Sequence, residues 1–164
     1  MTHKELVEVA ARWLRARSVA VVTELASGGH EEPDAIGWHG RSSIVLECKV
    51  SRRDFSADKK KWTRYYGGMG SQRYFLAPPG LVDPKELPMD WGLLEYADGK
   101  VWQVVECKPR GERRQCTAEI ALLLSTLRRI GQQAPKGVSI RCYTYETKNR
   151  ATLGVATDVD EPES

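Results

Sequence analysis

An aspartate, a glutamate and a lysine in the first third of this 164-residue chain have types and spacing suited to hydrolytic chemistry. Pro33-Asp34 is followed, after twelve residues, by Glu47-Cys48-Lys49 inside the run SIVLECKV. Successive side chains on a strand alternate faces, so Glu47 and Lys49 project together while Cys48 points the other way. PDAIGW (33–38) and SIVLECKV (43–50) flank the turn sequence HGRS and read as an antiparallel hairpin. A turn centred between Gly40 and Arg41 sets Asp34 opposite Glu47, with Cβ atoms about 4.5–5.5 Å apart. Two carboxylates that close repel unless a cation lies between them. A hard divalent ion, Mg²⁺ or Mn²⁺, takes one or two carboxylates together with waters and phosphate oxygens. Such an ion polarises a scissile phosphate and lowers the pKa of a bound water, while Lys49 orients that water or offsets charge gathering on phosphorus. The chemistry so assembled is metal-assisted phosphodiester hydrolysis. The competing reading is a surface ion pair of Glu47 with Lys49 or with a cross-strand neighbour, worth little energetically.

The triplet occurs twice, since Glu106-Cys107-Lys108 repeats it with Asp98 upstream. Asp98 is better explained as the turn residue of Asp98-Gly99, Pro109 follows at once, and no basic helix comes after it. The second copy therefore reads as structural, and the first is preferred because hairpin, charge and the following segment agree.

Positioning these groups requires a sheet and its flanking helices. Thr2 and Glu5 have the form of a capping box, and Leu6, Ala10, Trp13 and Leu14 recur at helical spacing, which predicts a helix over 3–16. SVAVVTEL (18–25) reads as a strand and 27–33 as a loop. Ser51 caps a predicted basic helix over 52–66 with Phe55, Trp62 and Tyr66 on its apolar face, and GGMGSQ reads as a flexible exit from it. RYFLAPP reads as a strand, WGLLEYA and KVWQVVECK as a hairpin about Asp98-Gly99, and 117–130 as an apolar helix closed by Gly131. GVSIRCYTYE (137–146) reads as a further strand or a terminal extension. This order predicts one α/β (α+β) domain over 1–150 with a mixed central sheet flanked by helices, followed by an acidic, disordered tail at 151–164.

With 41% hydrophobic and 29% charged residues, the chain is neither disordered nor fibrous. No apolar run approaches the roughly 18–20 residues of a membrane span, and the polar opening MTHKELVEVA predicts a cytoplasmic address. The net charge of +3 is unevenly placed: between Arg41 and Arg73 nine bases face three acids, a local +6. Such a patch favours a polyanion, because Lys and Arg neutralise phosphates and release counterions; its alternative is a solvated helix face. Arg52, Arg53, Lys59, Lys60, Lys61 and Arg64 are the candidate nucleic-acid contacts, with Ser51 capping the helix that begins among them. His30 and His39 flank Asp34 as candidate base or phosphate contacts, and Tyr65 is a candidate for stacking on a base. Four scattered cysteines lack zinc-ligand spacing, and Cys48 and Cys107 read as small buried hydrophobes.

Pro33-Asp34 with Glu47-Cys48-Lys49, behind a Glu-bearing helix and ahead of a basic one, resembles the PD-(D/E)XK nuclease superfamily, whose core is a restriction-endonuclease-like mixed sheet. Within it, EEPDAIGW and SIVLECKVSRRDFSADKKKWTRYY are similar to MmcB-type DNA-repair proteins and their phage or mobile-element relatives, over roughly residues 3–108. The resemblance implies a metal-dependent DNA nuclease, with Asp34, Glu47 and the Cys48 backbone carbonyl as metal ligands and Lys49 as the catalytic lysine. It also implies an added acid, for which Glu5, Glu8 and Glu24 are candidates. A non-cleaving nucleic-acid scaffold and an RNA nuclease are the alternative readings, and a homodimer is left open.

Overall fold

Thr2 starts the first helix as its sequence requires: its Oγ1 accepts the Glu5 N–H at 3.2 Å, and the Glu5 carboxylate accepts the Thr2 N–H at 2.7 Å. The computed structural model describes residues 1–24, 31–58, 60–61, 67–111 and 114–133. Helix α1 (His3–Arg15) leads to β1 (Ala20–Thr23), β2 (Ala35–His39) and β3 (Ser42–Cys48); then come α2 (Arg52–Asp58), β4 (Gln72–Ala77), β5 (Gly92–Ala97), β6 (Lys100–Val105) and α3 (Cys116–Gln133). The six strands form one sheet in chain order, with β3, β4 and β5 parallel and the remaining neighbours antiparallel. This is the mixed, helix-flanked α/β sheet that the sequence predicts.

The period-two pattern of β3 divides the core. Leu46 and Cys48 face α1 and pack with Leu6, Val7, Ala10 and Leu14, together with Tyr74 and Leu76 of β4. Val45 faces the opposite side, where Ile36, Trp38, Met69 and Leu122 of α3 meet. On that same side Phe55 of α2 packs against Phe75, Trp91 and Leu93. Cys48 and Cys107 are buried free thiols, as expected of small hydrophobes.

Three expectations are corrected. The helix predicted over 52–66 is described only as α2, ending at Asp58, where the Lys61 N–H reaches back to the Asp58 carbonyl at 3.0 Å in a tighter turn; 59 and 62–66, with Lys59, Trp62, Arg64, Tyr65 and Tyr66, lie outside the described residues. Arg73, counted in the basic patch, is fully buried, because alternation along β4 turns it inward with Phe75. Its guanidinium stacks 4.2 Å over Trp91 and pairs with the buried Glu31. Gly68 belongs to that cluster and is not a loose exit: its φ is +87°, and a Cβ there would meet Arg73 Nη1 and Glu31 Oε2 at 2.7 Å. His30, the segment 137–146 and the tail 151–164 lie outside the described residues. Among the described residues no helix is long and apolar enough to cross a membrane.

A buried carboxylate ties α3 to the sheet. Glu119 accepts from Trp38 Nε1 at 2.9 Å, Ser43 Oγ at 3.0 Å and the Gly70 N–H at 2.9 Å, and lies 2.9 Å from Arg114 Nε. Removing it leaves buried donors without an acceptor, so Glu119→Ala is expected to cost about 3 kcal/mol of stability, read from urea unfolding.

Candidate functional site

The hairpin register decides whether Asp34 meets Glu47. Ala35 pairs with Leu46, and the pairing runs without a slip to His39 opposite Ser42, so one further step sets Asp34 across from Glu47. The ladder on the other edge of β3 continues past its end, with the Lys49 N–H bonded to the Leu76 carbonyl at 2.9 Å. Alternation then turns Asp34, Glu47 and Lys49 to one side, the side covered by α2. They line a single cavity of about 340 Å³ with His3, Glu32, Asp54, Ala57, Asp58 and Lys61. The three residues singled out by type and spacing therefore do converge.

Burial within the cavity is graded. Lys49 (6% of its side chain exposed), Glu47 (4%) and Asp58 (2%) form the floor; Asp34 (19%), His3 (40%) and Asp54 (44%) rise toward the mouth. The Lys49 ammonium lies 3.6 Å from Glu47 Oε2, 3.6 Å from Asp58 Oδ2 and 4.0 Å from Asp54 Oδ1. Burial opposes its charge, but Glu47, Asp58, Asp34 and Asp54 together outweigh that penalty and hold its pKa above the ordinary lysine value. Lys49 is thus a fixed cation at neutral pH and not a proton acceptor. The exposed-ion-pair reading of Glu47 and Lys49 fails, since both are buried.

Asp34 is oriented by the strand opposite. Its Oδ2 accepts the Cys48 N–H at 2.7 Å, which leaves Oδ1 facing His3 Nε2 at 3.4 Å. The Cys48 thiol faces the hydrophobic side, and burial, with Asp34 and Glu47 nearby, pushes its pKa up, so it stays protonated.

The candidate acids are redistributed. Glu5 is exposed and occupied by the capping box, whose hydrogen bonds from Thr2 lower its pKa. Glu8 is exposed on α1, five residues and about 140° of helix beyond His3, and does not line the cavity. Glu24 donates its N–H to the Asp34 carbonyl at 3.1 Å, but its exposed side chain is not part of the cavity wall. His39 ends β2 at the far side of the hairpin, about 16 Å along the strand from Asp34. Glu106 and Lys108 are exposed and line no part of the cavity, so the second triplet is separate from the site.

The basic residues divide similarly. Arg52 pairs with Glu86 at 2.6 Å and donates to the Leu81 carbonyl at 3.2 Å, which ties it to the Pro84–Glu86 turn. Lys61 sits 2.7 Å from Asp58 at the cavity mouth, while Arg53 and Lys60 are exposed. Ser51 Oγ accepts the Asp54 N–H at 3.2 Å, a plain N-cap.

Sequence reasoning missed His3, Glu32 and the roles of Asp54 and Asp58. The i,i+4 spacing of Asp54 and Asp58 would have placed both on one helix face; His3 had no comparable signal.

Among the described residues, five carboxylates against two lysines line the cavity, a formal charge of −3 with His3 neutral. Among the described residues no three His, Cys, Asp or Glu side chains are drawn together tightly enough to hold an ion unaided. The donor set nevertheless fits a divalent cation that keeps several waters, since Asp34 and Glu47 supply hard oxygens and the excess negative charge favours a cation.

No protein-family model matches the sequence, and no curated protein matches it. The fold is similar to that of a solved structure, the SPO1766 protein of unknown function from Silicibacter pomeroyi, with TM-score 0.57 and 25% identity over 85% of this chain and 97% of that one.

The raised Lys49 pKa fixes the sign of a pH effect. Its ionic stabilisation is fully present below the unfolded lysine value of about 10.4 and fades as pH rises through the higher folded value. Lys49→Met is expected to cost about 3–5 kcal/mol at pH 7. In urea unfolding at pH 7, 9 and 11, the gap between wild type and variant stays constant to pH 9 and narrows at pH 11.

Proposed function

We propose that the protein is a metal-dependent nuclease that hydrolyses DNA phosphodiester bonds, in repair, recombination or mobile-element biology. The observation that carries this reading is the convergence of Asp34, Glu47 and Lys49 in one solvent-open, acidic cavity. Its support includes the similarity of PD…ECK and the following SRRDFSADKK to PD-(D/E)XK nucleases of the MmcB type.

Charge explains why a cation belongs in the scheme. A phosphate approaching the described wall residues, of formal charge −3, is repelled unless that charge is offset. Asp34, Glu47 and the Cys48 carbonyl would hold a Mg²⁺ or Mn²⁺ ion, which when bound polarises the phosphate and acidifies a water. The remaining steps belong to the chain. Asp34 is held in place by the Cys48 N–H and needs little reorganisation to present Oδ1. The Lys49 ammonium, kept charged by Glu47 and Asp58, offers a fixed donor to charge developing on a phosphoryl oxygen. Arg53, Lys60 and Lys61 are exposed, and Lys61 stands at the mouth, where they can meet the flanking phosphates.

Labelled duplex, flap, junction and single-stranded DNA, with matching RNAs, are incubated with Mg²⁺ or Mn²⁺. Wild type is expected to cut DNA, and Glu47→Ala and Lys49→Ala each to lower the rate about 100-fold or more while DNA affinity is retained. Glu106→Ala and Lys108→Ala are expected to cut as wild type does. Wild type that binds DNA with steep salt dependence but cuts nothing with either ion contradicts the proposal and favours a scaffold.

A further inference from the structure

Asp58 meets two ammoniums in unlike settings. Its side chain is 2% exposed; Oδ2 lies 3.6 Å from Lys49 Nζ, and Oδ1 lies 2.7 Å from Lys61 Nζ. Lys49 is buried on the cavity floor, with Glu47 at 3.6 Å and Asp54 at 4.0 Å as well, whereas the Lys61 side chain is 62% exposed at the mouth. The backbone sets Lys61 there: its N–H reaches the Asp58 carbonyl at 3.0 Å in the turn that follows α2, so its side chain starts beside the carboxylate it meets.

Of the two ion pairs, the one with Lys61 is the cheaper to break. An exposed ammonium regains water when it leaves its partner, so such a pair contributes little. Asp58 keeps Lys49 beside it when Lys61 leaves, and no buried charge is stranded by the exchange. Lys61 is therefore the exchangeable counter-ion, and the negative cavity gives it a reason to exchange. One divalent ion offsets only part of the formal charge of −3 on the described wall residues, so a second phosphate entering beside the scissile one still needs a cation. Asp58 and Lys49 lie between Lys61 and Glu47, so the phosphate within reach of Lys61 is the neighbour of the one held over Asp34 and Glu47.

Resting on the nuclease reading above, the geometry points to Lys61 as a specificity-determining residue: parked on Asp58 in the free protein, it moves to the phosphate next to the scissile one, so that the site favours a polynucleotide chain over an isolated phosphodiester. A lysine suits this exchange, because its flexible four-carbon stem lets a compact charge change partners while the backbone turn stays in place. Binding energy from a phosphate that does not react is then spent on aligning the one that does.

The test is a cycle between protein and substrate, run with the full chain and Mg²⁺ or Mn²⁺. An oligodeoxynucleotide cut by wild type is remade with a neutral methylphosphonate at the phosphate on either side of the cut, one at a time, and kcat/KM is measured for wild type, Lys61→Met and Lys61→Arg. One of the two replacements is expected to cost wild type about tenfold. Lys61→Met is expected to lose about tenfold on the unmodified strand and to be indifferent to that same replacement, the non-additivity that marks a direct contact. Lys61→Arg, which keeps the charge, is expected to stay sensitive to it. A Lys61→Met protein that responds to both replacements as wild type does overturns the inference, because the lysine then serves Asp58 alone. Wild type indifferent to both replacements overturns it too. Circular dichroism melts confirm that both variants are folded. Wild type that cuts no DNA with either ion removes the nuclease reading and this inference with it; wild type that cuts, with no coupling between Lys61 and either phosphate, removes only the role of Lys61.

Discussion

A lysine ammonium taken out of water is tolerated only where negative charge is built around it, and Lys49 imposes that demand on this fold. Glu47 on the same strand face, Asp58 and Asp54 on α2, and Asp34 across the hairpin together keep it charged despite near-complete burial. Removing any one of these carboxylates weakens the case for the others. Among the described residues lining the cavity, carboxylates outnumber the cations, so the walls that satisfy Lys49 keep an excess of negative charge. Stability and candidate chemistry thus arise from one arrangement of charges.

The sheet supplies the precision that this arrangement needs. A one-residue slip between β2 and β3 would turn Glu47 and Lys49 into the α1 core and Cys48 into the cavity. Register is protected on both faces, by Leu46 and Cys48 against α1 and by Val45 with Trp38 against α3. Glu119 adds a polar lock, because its carboxylate oxygens fix Trp38 and Ser43 near the turn end of the same hairpin and tie them to Gly70 ahead of β4. The site therefore sits at the end of a strand pair whose alignment is constrained on both faces.

Much of this was legible in the residues themselves. The Asp34–Glu47 register followed from turn position and period-two alternation, and both survive in the structure because the flanking apolar residues obey the same alternation. The capping box at Thr2 and the Asp98-Gly99 hairpin are local, and local chemistry decides them: Asp98 and Gly99 adopt φ of 51° and 76°. What was hidden depends on contacts distant in sequence. Nothing near Arg73 announces Glu31 and Trp91, so a charge count put it on the surface. His3 meets Asp34 only because α1 begins beside the open end of the hairpin, and Glu5 is removed from the site by the cap it forms. A basic stretch also overstated the positive surface, since Arg52 and Lys61 are held by Glu86 and Asp58.

The central claim is that Asp34 and Glu47 share a divalent cation beside the Lys49 ammonium. Its most direct test is anomalous diffraction from crystals of the protein soaked in Mn²⁺. The account predicts an anomalous peak in the cavity within about 2.0–2.3 Å of carboxylate oxygens from both Asp34 and Glu47. A well-ordered cavity with no such peak, or a peak that engages neither residue, would contradict it.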